Sequence, residues 1–298
     1  MAGKQRQFQQ RIRSTHSLKK IFRAMELIAA SRIGKARERV TAASPYAHAL
    51  TRAISAVASH ADIEHPLTTE RTDTKRAGIL VITADRGMAG AYSVNAIRES
   101  ERLRAQLLET GKDVAQYVTG RRGVSYFNFR HRTTERAWTG ASDAPTPAIA
   151  SEISRALLDA FLARPEDGGL AEIHIVYTQF RSMVDQQARV LRLVPLVVVE
   201  GEVVEGEQLL PLYSFEPSDR EVLDALLPRY IEARIYACLL QSAASELASR
   251  QRAMNTATTN AEDMIRQYTR LANQARQSEI TQEISEIVSG ADALATAS

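Results

Sequence analysis

A single cysteine, Cys238, in 298 residues excludes an internal disulfide and fits a reducing compartment. Its position on a helix beside Ile235 and Leu239 predicts a buried structural thiol. No stretch approaches eighteen consecutive apolar residues, so no membrane-spanning helix is expected. The chain has no G-x-S-x-G, H-E-x-x-H or C-x-x-C, which argues against a hydrolase or a redox pair. The six histidines are scattered. His60 and His65, five residues apart, fall on different helical faces, and Asp62, Glu64 and His65 read as a polar linker, not as metal ligands. Glycine and proline are both missing from Arg229 to Ser289, so nothing in that stretch ends a helix.

An apolar stripe with a seven-residue period fills this uninterrupted stretch. Leu247, Arg250, Met254, Ala257, Ala261, Met264, Tyr268, Leu271, Ala275, Ser278 and Gln282 recur in steps of three and four. Such a period means supercoiling around a partner helix, and the run would extend about 90 Å. The other end of the chain offers the partner: Leu18, Phe22, Met25, Ala29, Arg32 and Ala36 repeat in the same steps, and the pattern resumes beyond Pro45 through Tyr46, Leu50, Ala53, Ile54 and Val57. An antiparallel coiled coil of the two ends is expected. The C-terminal helix is the longer and should overshoot by about 15 to 20 residues. Near that point the apolar positions change face, to Ile280, Ile284, Ile287 and Val288, as if to meet a different protein.

The net charge of +3 is unevenly spread. Residues 1–40 carry eleven Lys or Arg against Glu26 and Glu38, whereas 276–298 carry Arg276 against Glu279, Glu283, Glu286 and Asp292. The basic end suits an acidic partner. The Arg-rich start, Met1–Arg13, has the composition of a transit peptide, but its apolar spacing runs into the coiled coil, which favours a mature helix and a bacterial source.

Between the helices the period shortens to that of strands. Strands are expected at Ala77–Thr83, Asp113–Thr119, Ala171–Phe180 and Val190–Val199, with helices at Ser93–Glu109 and Thr146–Leu162. This rhythm predicts a Rossmann-like α/β domain with a parallel core and an antiparallel edge, inserted between the coiled-coil helices. The expected boundaries are 1–59 for the first helix, 60–76 for a linker, 77–212 for the domain, 213–290 for the second helix and 291–298 for a tail. Glu200–Gln208 reads as a charged hairpin or loop. G87-M-A-G90 matches neither dinucleotide nor P-loop spacing, so no nucleotide or other cofactor is expected; Gly87 and Gly90 permit a tight turn that Asp85 and Arg86 cap or brace.

In order and spacing, I21-F-R-A-M-E-L-I-A-A-S-R32, D85-R-G-M-A-G90, Y213-S-F-E-P217 and A275-R-Q-S-E-I-T-Q-E-I-S-E-I-V-S-G-A291 are similar to the γ-subunit family of F-type ATP synthases. The resemblance covers nearly the whole chain. Ala89 and Ala91 stand where that family often has cysteine and glycine, and the regulatory cysteine pair of its photosynthetic branch is absent. The resemblance implies a rotor that is not an enzyme by itself, one copy per complex, coupling proton-driven rotation of a membrane c-ring to ATP synthesis or hydrolysis on β subunits and regulating proton flow. Its implied partners are a hexamer of α and β subunits, the ε subunit and the c-ring. Its implied place is peripheral, on the cytoplasmic side of the plasma membrane.

By the same resemblance, Arg276, Gln277, Thr281 and Glu283 match positions that engage a β loop, and Met25, with Arg23 and Arg32, matches the region that meets an acidic lever of β. Ile280, Ile284, Ile287 and Val288 would turn in an apolar sleeve. Tyr213, Phe215 and Glu216 match a foot on the ring near ε. Two rivals remain at this stage. A nucleic-acid-binding helix would need base-reading aromatics, yet Phe8 and Phe22 both lie on apolar stripes. An NAD-type enzyme would need the missing glycine pattern.

Overall fold

The computed structural model describes residues 2–60, 65–196 and 218–296. The chain divides into two compact units, residues 30–250 and residues 1–29 with 251–298. Two helices, α1 (Ala2–His60) and α5 (Asp219–Thr296), contribute to both. Each contains a proline, Pro45 and Pro228, and the helix runs through both, including Pro45, where the sequence suggested an interruption. At Pro45 the residue is exposed, so the Thr41 carbonyl left without its helical donor is open to solvent.

Within residues 30–250 a five-stranded sheet has the order β3-β2-β1-β4-β5. Its strands are β1 (Arg76–Ile82), β2 (Asp113–Thr119), β3 (Arg136–Trp138), β4 (Glu172–Phe180) and β5 (Gln186–Val194). The first four run parallel, with Ala77 opposite both Val114 and Glu172, and β5 runs antiparallel to β4. The strand expected at Val190–Val199 therefore lies earlier. The apolar run from Leu193 to Val199 favours a later strand, whereas the observed strand is a half-exposed edge that begins on polar Gln186 and Gln187.

Helices cover both faces. α2 (Tyr92–Glu109) and α3 (Arg121–Phe129) pack Ala96, Leu103, Leu107 and Phe127 against Ile79, Val81, Val118 and Val176. On the other face α4 (Pro147–Leu162) and α5 bring Ile153, Leu157, Phe161, Leu227, Ile231 and Ile235 onto Leu80, Ile82, Ile173 and Ile175. Two residues of one strand pointing alternately into two apolar layers is what a sheet buried on both sides requires. Cys238 sits in the second layer, 5% exposed, its thiol pushed up to about 12 by burial. A short seam continues the packing, where Ile33 and Ala36 meet Ala244, Leu247 and Ala248.

In the other unit α1 and α5 run antiparallel. Glu26 accepts from Asn255 Nδ2 at 3.1 Å, Lys19 pairs with Glu262 at 2.7 Å, and Phe8 stacks on Tyr268 with ring centroids 6.5 Å apart. The buried positions correct the expected seam. On α1, Phe22 and Ala29 lie inward, but so do Thr15 and Glu26, while Leu18 is 48% exposed. On α5 the line runs Met254, Ala261, Ile265, Tyr268, Ala272, leaving Met264 and Leu271 to one side. A strict seven-residue pattern has here been relieved by one extra four-residue step at Ala261, bringing the average close to the 3.6 residues of an unstrained helix.

Candidate functional site

The end of α5 leaves its partner behind. From Ile280 through Ser289 every residue is exposed, including Ile280 (45%), Ile284 (56%), Ile287 (71%) and Val288 (54%). At 100° per residue these four, with Arg276, Gln277, Thr281 and Glu283, occupy about 160° of one side of the helix. The opposite side carries Ser278, Gln282, Ser285, Glu286 and Ser289. The four apolar residues point roughly 130° away from the seam line of Ile265, Tyr268, Ala272 and Ala275. All eight positions expected from the sequence are thus brought onto one uncovered surface. On this surface the Thr281 hydroxyl is turned back to the Gln277 carbonyl at 2.9 Å, and on the opposite side Gln282 Nε2 donates to Glu286 Oε1 at 2.9 Å.

The first helix carries a second uncovered stripe. Leu18, Ile21 and Ile28 are 48%, 51% and 54% exposed, with half-buried Met25 between them. Steps of three and four place them on one face. Leu18 and Met25 are expected inside the coil from their spacing, but the inward line runs one residue further on, through Phe22, Glu26 and Ala29, and leaves this stripe outside. Arg23, half-exposed, bridges Glu26 within its own helix at 2.9 Å. Arg32, in the larger unit, is not free either: its Nη1 lies 2.5 Å from Asp143 Oδ2 in the loop between β3 and α4. Tyr213, Phe215 and Glu216, the expected foot, lie outside the described residues, as do Asp62, Glu64 and the Glu200–Gln208 loop.

The crevice where doubly wound folds receive ligands lies at the carboxyl ends of neighbouring strands, here β1 and β4, where connections depart in opposite directions. α5 fills it. Ser242 Oγ accepts from the Thr178 amide at 3.1 Å, Ser245 Oγ donates to the Thr178 carbonyl at 3.1 Å, and Gln241 Oε1 accepts from the Phe180 amide at 3.0 Å. Tyr92, fully buried, sets its hydroxyl against Ser242. The backbone groups at the end of β4 are therefore satisfied by the protein's own helix. In the turn after β1, Gly90 and Met88 take the left-handed conformation (φ 55° and 61°), while Gly87 does not. Asp85 braces, as expected, but the brace reaches other segments: Oδ2 accepts from the amides of Gly140 (2.8 Å) and Ser142 (3.0 Å), and Oδ1 from that of Arg121 (3.2 Å). Arg86 is exposed.

His65 is a pin, not a ligand. Its Nδ1 accepts from the Leu67 amide at 3.0 Å and its Nε2 faces Asp224 Oδ1 at 2.9 Å. Among the described residues no cluster of three or more His, Cys, Asp or Glu is placed to hold a metal, and no helix is long and apolar enough to cross a membrane.

Paired chain ends with a doubly wound domain inserted between them in sequence, and an uncovered amphipathic terminus, define a class of proteins whose accessible surfaces suit contact with other chains. The family model described as ATP synthase matches residues 4–294. The ATP synthase gamma chain of Beutenbergia cavernae is 65% identical over 295 residues, covering 99% of both chains, and that of Pseudarthrobacter chlorophenolicus is 58% identical over 296 residues, covering 99% of this chain and all of the relative. A chain of the Euglena gracilis mitochondrial ATP synthase (OSCP/F1/c-ring) shares the fold at a TM-score of 0.70 and 16% identity, over 99% of this chain and 95% of that one. The chain belongs to the ATP synthase gamma chain family.

Proposed function

We propose that the chain is the central rotor of an F1 sector, turning inside a hexamer of α and β subunits and carrying torque between a proton-driven c-ring and catalytic sites on β. It is non-catalytic by itself, binds no nucleotide directly, and is held at the membrane only through its complex, with ε and the ring as its further partners. The uncovered half-face of α5 carries this reading. Arg276, Gln277, Thr281 and Glu283 stand beside Ile280, Ile284, Ile287 and Val288 on a stretch of helix with no packed partner among the described residues, an arrangement that suits a polar contact next to an apolar bearing. Leu18, Ile21, Met25 and Ile28 supply a second strip for the same surrounding hexamer.

A rotor must bind its socket about equally well at every stopping angle, since a state favoured by several kcal/mol would hold the population there. Apolar contact is non-directional and tolerates sliding, whereas hydrogen bonds register position. Gln277 is therefore assigned to angle and the isoleucines to bearing. Gln277→Leu in the reassembled complex is expected to lower ATP turnover several-fold while α and β recovery stays near normal. Unchanged turnover in an intact complex would remove Gln277 from this role, and failure of α and β to accompany the wild-type chain would remove the rotor reading altogether.

A further inference from the structure

Two ion pairs of the larger unit differ in their access to solvent. Arg32 on α1 pairs with Asp143 at 2.5 Å, and Arg250 on α5 pairs with Glu246 at 2.6 Å. Burial raises the Glu246 pKa. The Glu246–Arg250 pair is nearly inaccessible, at 1% and 8% side-chain exposure, whereas Arg32 is 50% exposed and Asp143 21%. One pair is fixed and the other is open to exchange. The loop bearing Asp143 is itself held by the Asp85 carboxylate and by Ser142 Oγ, which accepts from the Asp85 amide at 2.9 Å, so Asp143 is presented at a set place.

We propose that Asp143 is a positioning residue for Arg32, an internal competitor that takes the guanidinium whenever a carboxylate-bearing element of a surrounding subunit releases it. The inference rests on the rotor reading and deepens it. An arginine with no internal acceptor would bind an external carboxylate and give up its whole interaction on leaving, which makes a deep angular well. With Asp143 present, departure exchanges one ion pair for another. Because the loop that bears Asp143 is braced through Asp85 and Ser142, the carboxylate stays within reach of Arg32 and the internal pair competes with the external one at every release. Half-exposed pairs are individually weak, which suits exchange on each turn.

The test uses the complete F1 complex reassembled with Asp143→Asn. ATP hydrolysis is expected to fall about two- to fivefold at low salt with normal assembly, and to recover as ionic strength rises, because screening weakens the external pair. Asp143→Glu, which keeps a carboxylate, should restore the rate. In the double variant Arg32→Gln, Asp143→Asn, the second change should have no further effect, because the arginine it frees is gone. A normal rate for Asp143→Asn, a loss insensitive to salt, or an equal loss from Asp143→Asn when Arg32 is already Gln would each overturn the proposal. Those results concern Asp143 alone. Failure of the wild-type chain to co-purify with α and β subunits would instead strike the reading beneath it.

Discussion

Glu172 opens β4 almost without solvent, 5% exposed, among Lys112, His174 and Arg192. His174, with Nε2 3.3 Å away, and Lys112, at 2.8 Å, hold its carboxyl at about 2 against the opposing effect of burial, well below an ordinary 4.5. A carboxylate depressed in the folded state contributes stability above its unfolded pKa and loses that contribution as pH falls toward the folded value. Glu172→Gln should therefore destabilise the isolated chain by on the order of 2 kcal/mol at pH 7. The deficit should shrink progressively between about pH 4.5 and pH 2. Urea titrations of both proteins at pH 7 and pH 3 measure it; an equal gap at the two pH values would mean that packing, not charge, is what Glu172 supplies. Nothing in the sequence singled this residue out. Glu172, Lys112 and Arg192 are separated along the chain, and only strand pairing brings them together.

At the scale of elements, the sequence was most legible where one period ran long. β2 lies where its apolar run placed it, and α2, α4 and β4 begin within a residue of expectation. α3 and β3 escaped because they are short: nine residues opening on Arg121-Arg122-Gly123, and three residues at a sheet edge. Gly123 reads as a breaker, yet a Cβ there would come 2.7 Å from Val118 Cγ1 and 2.9 Å from Thr83 Oγ1, so close packing of helix on strand explains it. The tip was legible because its stripe turns away from the seam, and that turn is a property of spacing alone. The seam was legible only to within one position, since small residues such as Ala257, Ala261 and Ala272 mark a face weakly. The two faces give opposite expectations. Ala272→Asp places a charge at a site 5% exposed and should cost about 2–4 kcal/mol in thermal melts of the isolated chain. Ile284→Asp, 56% exposed, should stay within about 0.5 kcal/mol. The reverse order would show that the isoleucines pack on their own chain.

For the whole molecule, the two units differ in what holds them. Residues 30–250 bury two apolar layers on either side of a hydrogen-bonded sheet, with Phe127, Phe161, Leu227 and Ile231 fully enclosed. Among the described residues, the unit of residues 1–29 and 251–298 encloses little more than Ala29, Met254, Ala261 and Ala272 along one seam, together with polar Thr15 and Glu26. Each fully buried large side chain contributes about 1.5–3 kcal/mol, and alanines much less. Helices so thinly supported depend on neighbours for stability, because isolated helices are marginal in water. The uncovered stripes at Leu18–Ile28 and Ile280–Val288 are where neighbours would supply the missing burial. Amide hydrogen exchange on the isolated chain should accordingly find the sheet and α4 protected most strongly and residues 4–28 and 252–289 exchanging at least tenfold faster, by local opening. In the reassembled complex that second set should slow by a similar factor while the sheet changes little. Equal protection of both units in the free chain would mean that the seam suffices on its own. Protection of the sheet alone on assembly would place the partner on the inserted domain and leave both exposed stripes without an occupant.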